Sequence, residues 1–190
     1  MKNVFNLLMI ATMAVALVFV GCTGNDGDVD EKSGYVIEAK NVQTSSKNIV
    51  TVKAQLGMKT YTVKYSNNSF KLILPMDIPG TGLDRSVLFL EGLNKSGDYI
   101  GSFWNSGEKG NLSYFIDYVY AKENMNYTKK EENELGGYAI TSIYDCVLKK
   151  GWNLEYTESI WDEAKKTITY TITTDKPAGV SFAWEFLSIE

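Results

Sequence analysis

From Tyr35 onward the dominant pattern of the chain is alternation between apolar and polar residues, and this constrains its fold more than any other feature. Val50, Val52, Ala54 and Leu56 are separated by Thr51, Lys53 and Gln55. The same period of two recurs at Tyr61, Val63 and Tyr65; at Phe70, Leu72 and Leu74; at Ile168, Tyr170 and Ile172; and at Val180, Phe182, Trp184 and Phe186. Successive side chains of a strand point to opposite faces, so these runs predict half-buried antiparallel strands. No segment sustains apolar spacing of 3.6 residues, and Ser159 to Lys166 offers at most a turn or two of helix.

The breaks between runs fit that reading. Ser66-Asn67-Asn68-Ser69 predicts a tight hairpin, and Lys150-Gly151 and Lys176-Pro177-Ala178-Gly179 interrupt later strands. Lys122 to Gly137 (KENMNYTKKEENELGG) is the longest polar stretch and predicts an exposed loop between two strands. Short strands with frequent turn signals point to an all-β domain, an antiparallel β-sandwich of immunoglobulin-like or transthyretin-like kind.

The N-terminus has a different character. Lys2 precedes an apolar run from Val4 to Val20 broken only by Asn6 and Thr12, the pattern of a secretory signal peptide. A transmembrane helix is the rival, since the run is close to the shortest that spans a bilayer. The junction Phe19-Val20-Gly21-Cys22 favours the signal peptide. It resembles the lipobox of bacterial lipoproteins, with Phe19 where Leu is usual, and that resemblance implies a Cys22 that carries lipid and becomes the mature N-terminus. Two or three acyl chains, at about 0.8 kcal/mol per buried methylene, suffice for stable attachment.

Three parts follow: a signal peptide at 1–21, a lipidated Cys22 with an acidic tether through residue 34, and a single domain at 35–190. The tether TGNDGDVDEKSG is too poor in apolar residues to fold. Its Asp26, Asp28 and Asp30 hint at a calcium loop, but Glu31 stands where Gly is required and Ile37 where the bidentate Glu belongs, so no metal is expected. An acidic stretch after the lipidated Cys also resembles the signal that exports Bacteroidetes lipoproteins to the outer face of the outer membrane. The mature chain keeps 18 Lys and Arg against 23 Asp and Glu. With no basic run to follow a phosphate backbone, nucleic acid is not an expected partner.

Cys146 is left without a partner. It shares a strand face with Tyr138, Ile140, Tyr144 and Leu148, which predicts a buried, inert thiol.

Three further stretches carry a family resemblance: Tyr65-Ser-Asn-Asn-Ser-Phe-Lys-Leu-Ile-Leu-Pro75, Val147-Leu-Lys-Lys-Gly-Trp-Asn153 and Thr174-Asp-Lys-Pro-Ala-Gly-Val-Ser-Phe-Ala-Trp184. Together they resemble uncharacterised Bacteroidetes lipoproteins with small β-sandwich domains. The resemblance implies location and fold, and no activity. The residues themselves need no chemistry: Gly151 permits a turn, Trp152 can cap a core, and Pro75 ends a strand.

The chain contains no histidine, which removes Ser-His-Asp and Cys-His arrangements and His-based zinc sites together. No phosphate-binding loop, nucleophile elbow or CxxC pair is present. Among the acids, Asp117 lies in the apolar run Tyr114 to Tyr120, whose neighbours could raise its pKa; on a strand it points away from Tyr118, towards water. Trp104 and Tyr127 are the candidate ligand-binding rings, offering stacking faces to a sugar or anchors to a protein. The expectation is therefore a non-catalytic, cofactor-free binding or accessory module, held at the outer membrane by its lipid and facing a glycan or a surface protein. A fimbria-like assembly subunit is the alternative, and a hydrolase using carboxylates alone comes third.

Overall fold

The computed structural model describes residues 34–78 and 83–189; the expected signal peptide, Cys22 and all of the expected tether but Gly34 lie outside the described residues. These residues form twelve strands and no helix: β1 (Gly34–Ala39), β2 (Thr51–Leu56), β3 (Lys59–Lys64), β4 (Phe70–Pro75), β5 (Arg85–Leu93), β6 (Tyr99–Lys109), β7 (Leu112–Ala121), β8 (Met125–Leu135), β9 (Tyr138–Leu148), β10 (Gly151–Asp162), β11 (Thr167–Thr173) and β12 (Ala183–Ser188).

Strands β1 and β4 pair with each other alone and form a two-stranded cover. The rest make one sheet in the order β3-β2-β5-β6-β7-β10-β11-β9-β8, with β12 added beside β6. The all-β reading holds, and the two layers pack in the manner of a sandwich. The sheet is not purely antiparallel, because β9 and β11 run parallel. Strand β11 stops at Thr173, opposite Asp145, so β9 outruns it and the Lys149-Lys150 turn steps across its end to begin β10 on the far side.

The main core lies under the cover. Alternate residues Val52, Ala54 and Leu56 of β2, Leu72 and Leu74 of β4, and Leu88 and Leu90 of β5 are all buried there. Phe103 is its hub, with Tyr65, Phe70 and Phe186 rings 4.8 to 5.4 Å away in tilted and edge-on arrangements. Trp152 fastens the cover to the sheet: it stacks on Tyr35 at 5.1 Å, and its indole Nε1 donates to the Pro75 carbonyl at 2.9 Å. Strand β12 can lie against β6 because Gly101 has no side chain. A Cβ there would sit 2.2 Å from the Leu187 carbonyl oxygen.

Three sequence expectations need correction. The 66–69 turn is as tight as expected, with Asn67 and Asn68 both left-handed at φ 51° and 53°, but the strands it joins part immediately into different sheets. The stretch from Lys122 to Gly137 is not a loop. Met125–Leu135 is a full strand paired with β9, flanked by a short bend at residues 122–124 and the Gly136-Gly137 turn. Its charges mislead because the strand lies at the sheet edge, where Tyr127 and Leu135 are half-buried and Lys and Glu occupy most other positions. Ser159–Asp162 finishes β10, and Glu163–Lys166 is a hairpin turn with Lys166 at φ 54°, so no helix forms there.

Candidate functional site

A local split in the sheet creates the candidate site. The first residues of β6 pair with β5 (Leu93 opposite Tyr99), and its last residues pair with β7 (Asn105 opposite Ile116). Strand β5 in turn pairs directly with β7 at Arg85 to Val87. The three strands therefore part around Phe89, Trp104 and Asp117. A hollow of about 40 Å³ opens there, with the Leu88–Leu90, Ser102–Asn105 and Ile116–Tyr118 segments on its walls.

Alternation decides which side chains face it. Phe103 and Tyr118 point into the main core, so Trp104 and Asp117 point the other way, with Phe115 beside Trp104 at 6.2 Å between ring centroids. Phe89 is 36% exposed on the same side. Thr157 donates its hydroxyl to Asp117 Oδ2 at 3.3 Å. Asp117 is half-buried rather than freely solvated, which corrects the expectation that it simply faces water. Burial pushes its carboxyl up to about 6; the charge of Glu155 adds to the rise, and Arg85 and the Thr157 hydroxyl oppose it.

Glu155 stands directly opposite Asp117 on β10 and is 0% exposed. Arg85 grips it with two prongs, Nε to Oε1 at 2.8 Å and Nη2 to Oε2. Burial works to lower the pKa of Arg85, but the hydrogen bond and charge of Glu155 outweigh it and hold the guanidinium above its ordinary value. The same guanidinium lies under two rings of the β8–β9 hairpin, 5.1 Å from Tyr127 and 5.5 Å from Tyr144. The far end of the sheet must curl back over its own face for those rings to reach it.

The two sequence-nominated rings thus share one concave strip. Trp104 lies at one end, the pair of carboxyls with Arg85 in the middle, and Tyr127 against Tyr144 at the other. Trp104 and Tyr127 are both half-buried, but Tyr127 is already engaged by Arg85, so it contributes more to holding the hairpin than to an open surface. Cys22 lies outside the described residues. Cys146 is 1% exposed beneath the hairpin; its Sγ donates to the Ile172 carbonyl, and burial pushes the thiol up to about 12.

Sequence reading missed Arg85, Glu155, Thr157 and Phe89. A signal for two of them existed: in Asn153-Leu-Glu-Tyr-Thr-Glu-Ser159 the alternate residues Asn153, Glu155, Thr157 and Ser159 form a polar row on one strand face. Nothing local shows that this face is covered, because Arg85 comes from a strand 70 residues earlier. Among the described residues no group of acids and thiols could hold a metal ion. No family model, curated protein or solved structure matches the chain.

Proposed function

We propose that the chain is a lipid-anchored envelope protein whose sandwich domain binds its ligand and does not transform it. The ligand lies across the concave strip and uses Trp104 and Phe89 as its apolar platform. One observation carries this reading: two aromatic rings flank a half-buried carboxyl at a place where the sheet opens. Stacking surface beside a hydrogen-bonding group suits a sugar ring or an aromatic side chain of a protein partner.

The dimensions favour binding over hydrolysis. A hollow of about 40 Å³ admits a few waters and no sugar ring, so a ligand rests on it rather than within it. Paired-carboxylate hydrolysis needs two acids that reach the substrate. Glu155 is fully buried and held by Arg85, which leaves Asp117 alone at the surface of the strip. For the sandwich itself the finer reading stays an immunoglobulin-like or transthyretin-like arrangement, with the two-strand cover and the parallel β9–β11 pair as its local departures.

Lipidation at Cys22 and placement at the outer membrane rest on the Phe19–Cys22 junction and the acidic tether. Screening the protein against arrayed glycans and surface-protein extracts tests the binding proposal. A hit that Trp104→Ala weakens at least tenfold supports it; hits unaffected by Trp104→Ala and Phe89→Ala contradict it.

A further inference from the structure

Strand β8 ends the sheet with an outer edge that no other described strand covers. Strand β8 pairs with β9 over eleven consecutive positions without a register shift, and no other described strand pairs with it. Its outer edge therefore presents a regular row of backbone donors and acceptors, a template for another strand. Proteins blunt such edges with proline, bulges or charge; β8 has neither proline nor bulge, and its charges are ordered rather than scattered.

That order is Lys129-Lys130-Glu131-Glu132, all at least partly exposed. Within one chain Lys129 pairs with Glu131, and Lys130 Nζ meets Glu132 Oε1 at 2.5 Å. In antiparallel pairing with a second copy, this order lets Lys129 of each strand lie opposite Glu131 of the other, two base–acid pairs related by symmetry.

We propose that two copies join through β8 about a two-fold axis perpendicular to the sheet, passing at Lys130. A two-fold of that orientation keeps inner faces with inner faces, so only residues of the same face can lie opposite one another. Lys129 then faces Glu131 of the second copy, Thr128 faces its Glu132, and Tyr127 faces its Asn133. Lys130 lies opposite Lys130 of the second copy and reaches that copy's Glu132 diagonally, within the range of long side chains. Like charges lie directly opposite only at the axis, on flexible lysines, and Glu132 and Glu134 face the uncharged Thr128 and Asn126 of the second copy. The joined sheets place the two concave strips side by side, although the pairing stands whether or not those strips bind a ligand.

Cysteine cross-linking of the full-length protein in detergent tests the register, in a Cys22→Ser background where buried Cys146 is the one remaining native thiol. Opposed Cα atoms in an antiparallel pair lie about 4.5–5.5 Å apart, within disulfide range. Under mild oxidant, Lys130→Cys should form a disulfide-linked dimer at least tenfold faster than Thr128→Cys. Equal rates, or no cross-link, overturn the proposal. Mass in solution supplies the second arm: Lys129→Glu with Lys130→Glu should give a folded monomer, and adding Glu131→Lys with Glu132→Lys should restore the dimer. A dimer that survives four acids in that row also overturns it.

Discussion

Asp117 and Glu155 project side by side from adjacent strands, yet Arg85 is hydrogen-bonded only to Glu155. That asymmetry divides their roles. Glu155 becomes a sealed structural ion pair, whereas Asp117 stays at the groove surface with a raised pKa and one hydroxyl donor.

Breaking the sealed pair from one side is costly, because the abandoned charge has no water to turn to. Arg85→Ala or Glu155→Ala should each destabilise the domain by about 3–5 kcal/mol in urea unfolding. Replacing both with Met should cost much less than the sum. If the double variant were as unstable as the two singles added together, the ion pair would not be the unit described here.

Asp117 gives the domain an acid-side stability increment. Its folded carboxyl binds a proton more tightly than the unfolded chain does, with a pKa of about 6 against 3.8. The contribution is fully present below about 3.8 and is lost as pH rises through about 6. Asp117→Asn keeps an acceptor for Thr157 and removes the titration. The variant's stability relative to the wild type should therefore rise between pH 4 and pH 7, measured as the shift in urea midpoint; a difference that stays constant over that range contradicts the assignment.

Close approach of β12 to β6 depends on Gly101, where φ is 150° and a Cβ would strike the Leu187 carbonyl. Gly101→Ala should lower stability by more than about 1 kcal/mol and loosen the C-terminal strand. Amide exchange would show it as lost protection at Glu185 and Leu187, the alternate β12 residues opposite Trp104 and Ser102, with the β10–β11 hairpin unchanged.

How much of this was legible in the sequence follows from which forces act locally. The period of two at Val52, Ala54 and Leu56, and at Phe70, Leu72 and Leu74, reports burial on one face directly, and those residues are core. Cys146 was readable for the same reason, since its strand face is apolar except for Ser142. Strand β8 was not, because an edge strand is solvated on most sides and its composition mimics a loop. The strip was half legible: Trp104 stands out as a large ring between Ser102 and Ser106 on its strand face, but the partners of Asp117 come from β5 and β10, and only sheet order brings them together. The parallel placement of β9 beside β11 has no local signal at all, as it depends on the relative lengths of two strands.

The thiol of Cys146 should report global opening and nothing else. A polar disulfide reagent should leave the native domain unlabelled over hours and label it with the same urea dependence as unfolding. Labelling within minutes in native buffer would mean that the β8–β9 hairpin does not cover it.

Amide chemical-shift mapping of the protein with a ligand found by screening shows whether that ligand sits on the concave strip. Perturbations should concentrate at Phe89, Trp104, Asp117 and Thr157, be absent in Trp104→Ala, and leave the opposite face around Ile143 and Val147 unmoved. Perturbations clustered at Ile143 and Val147, with Trp104 and Asp117 silent, would contradict that placement.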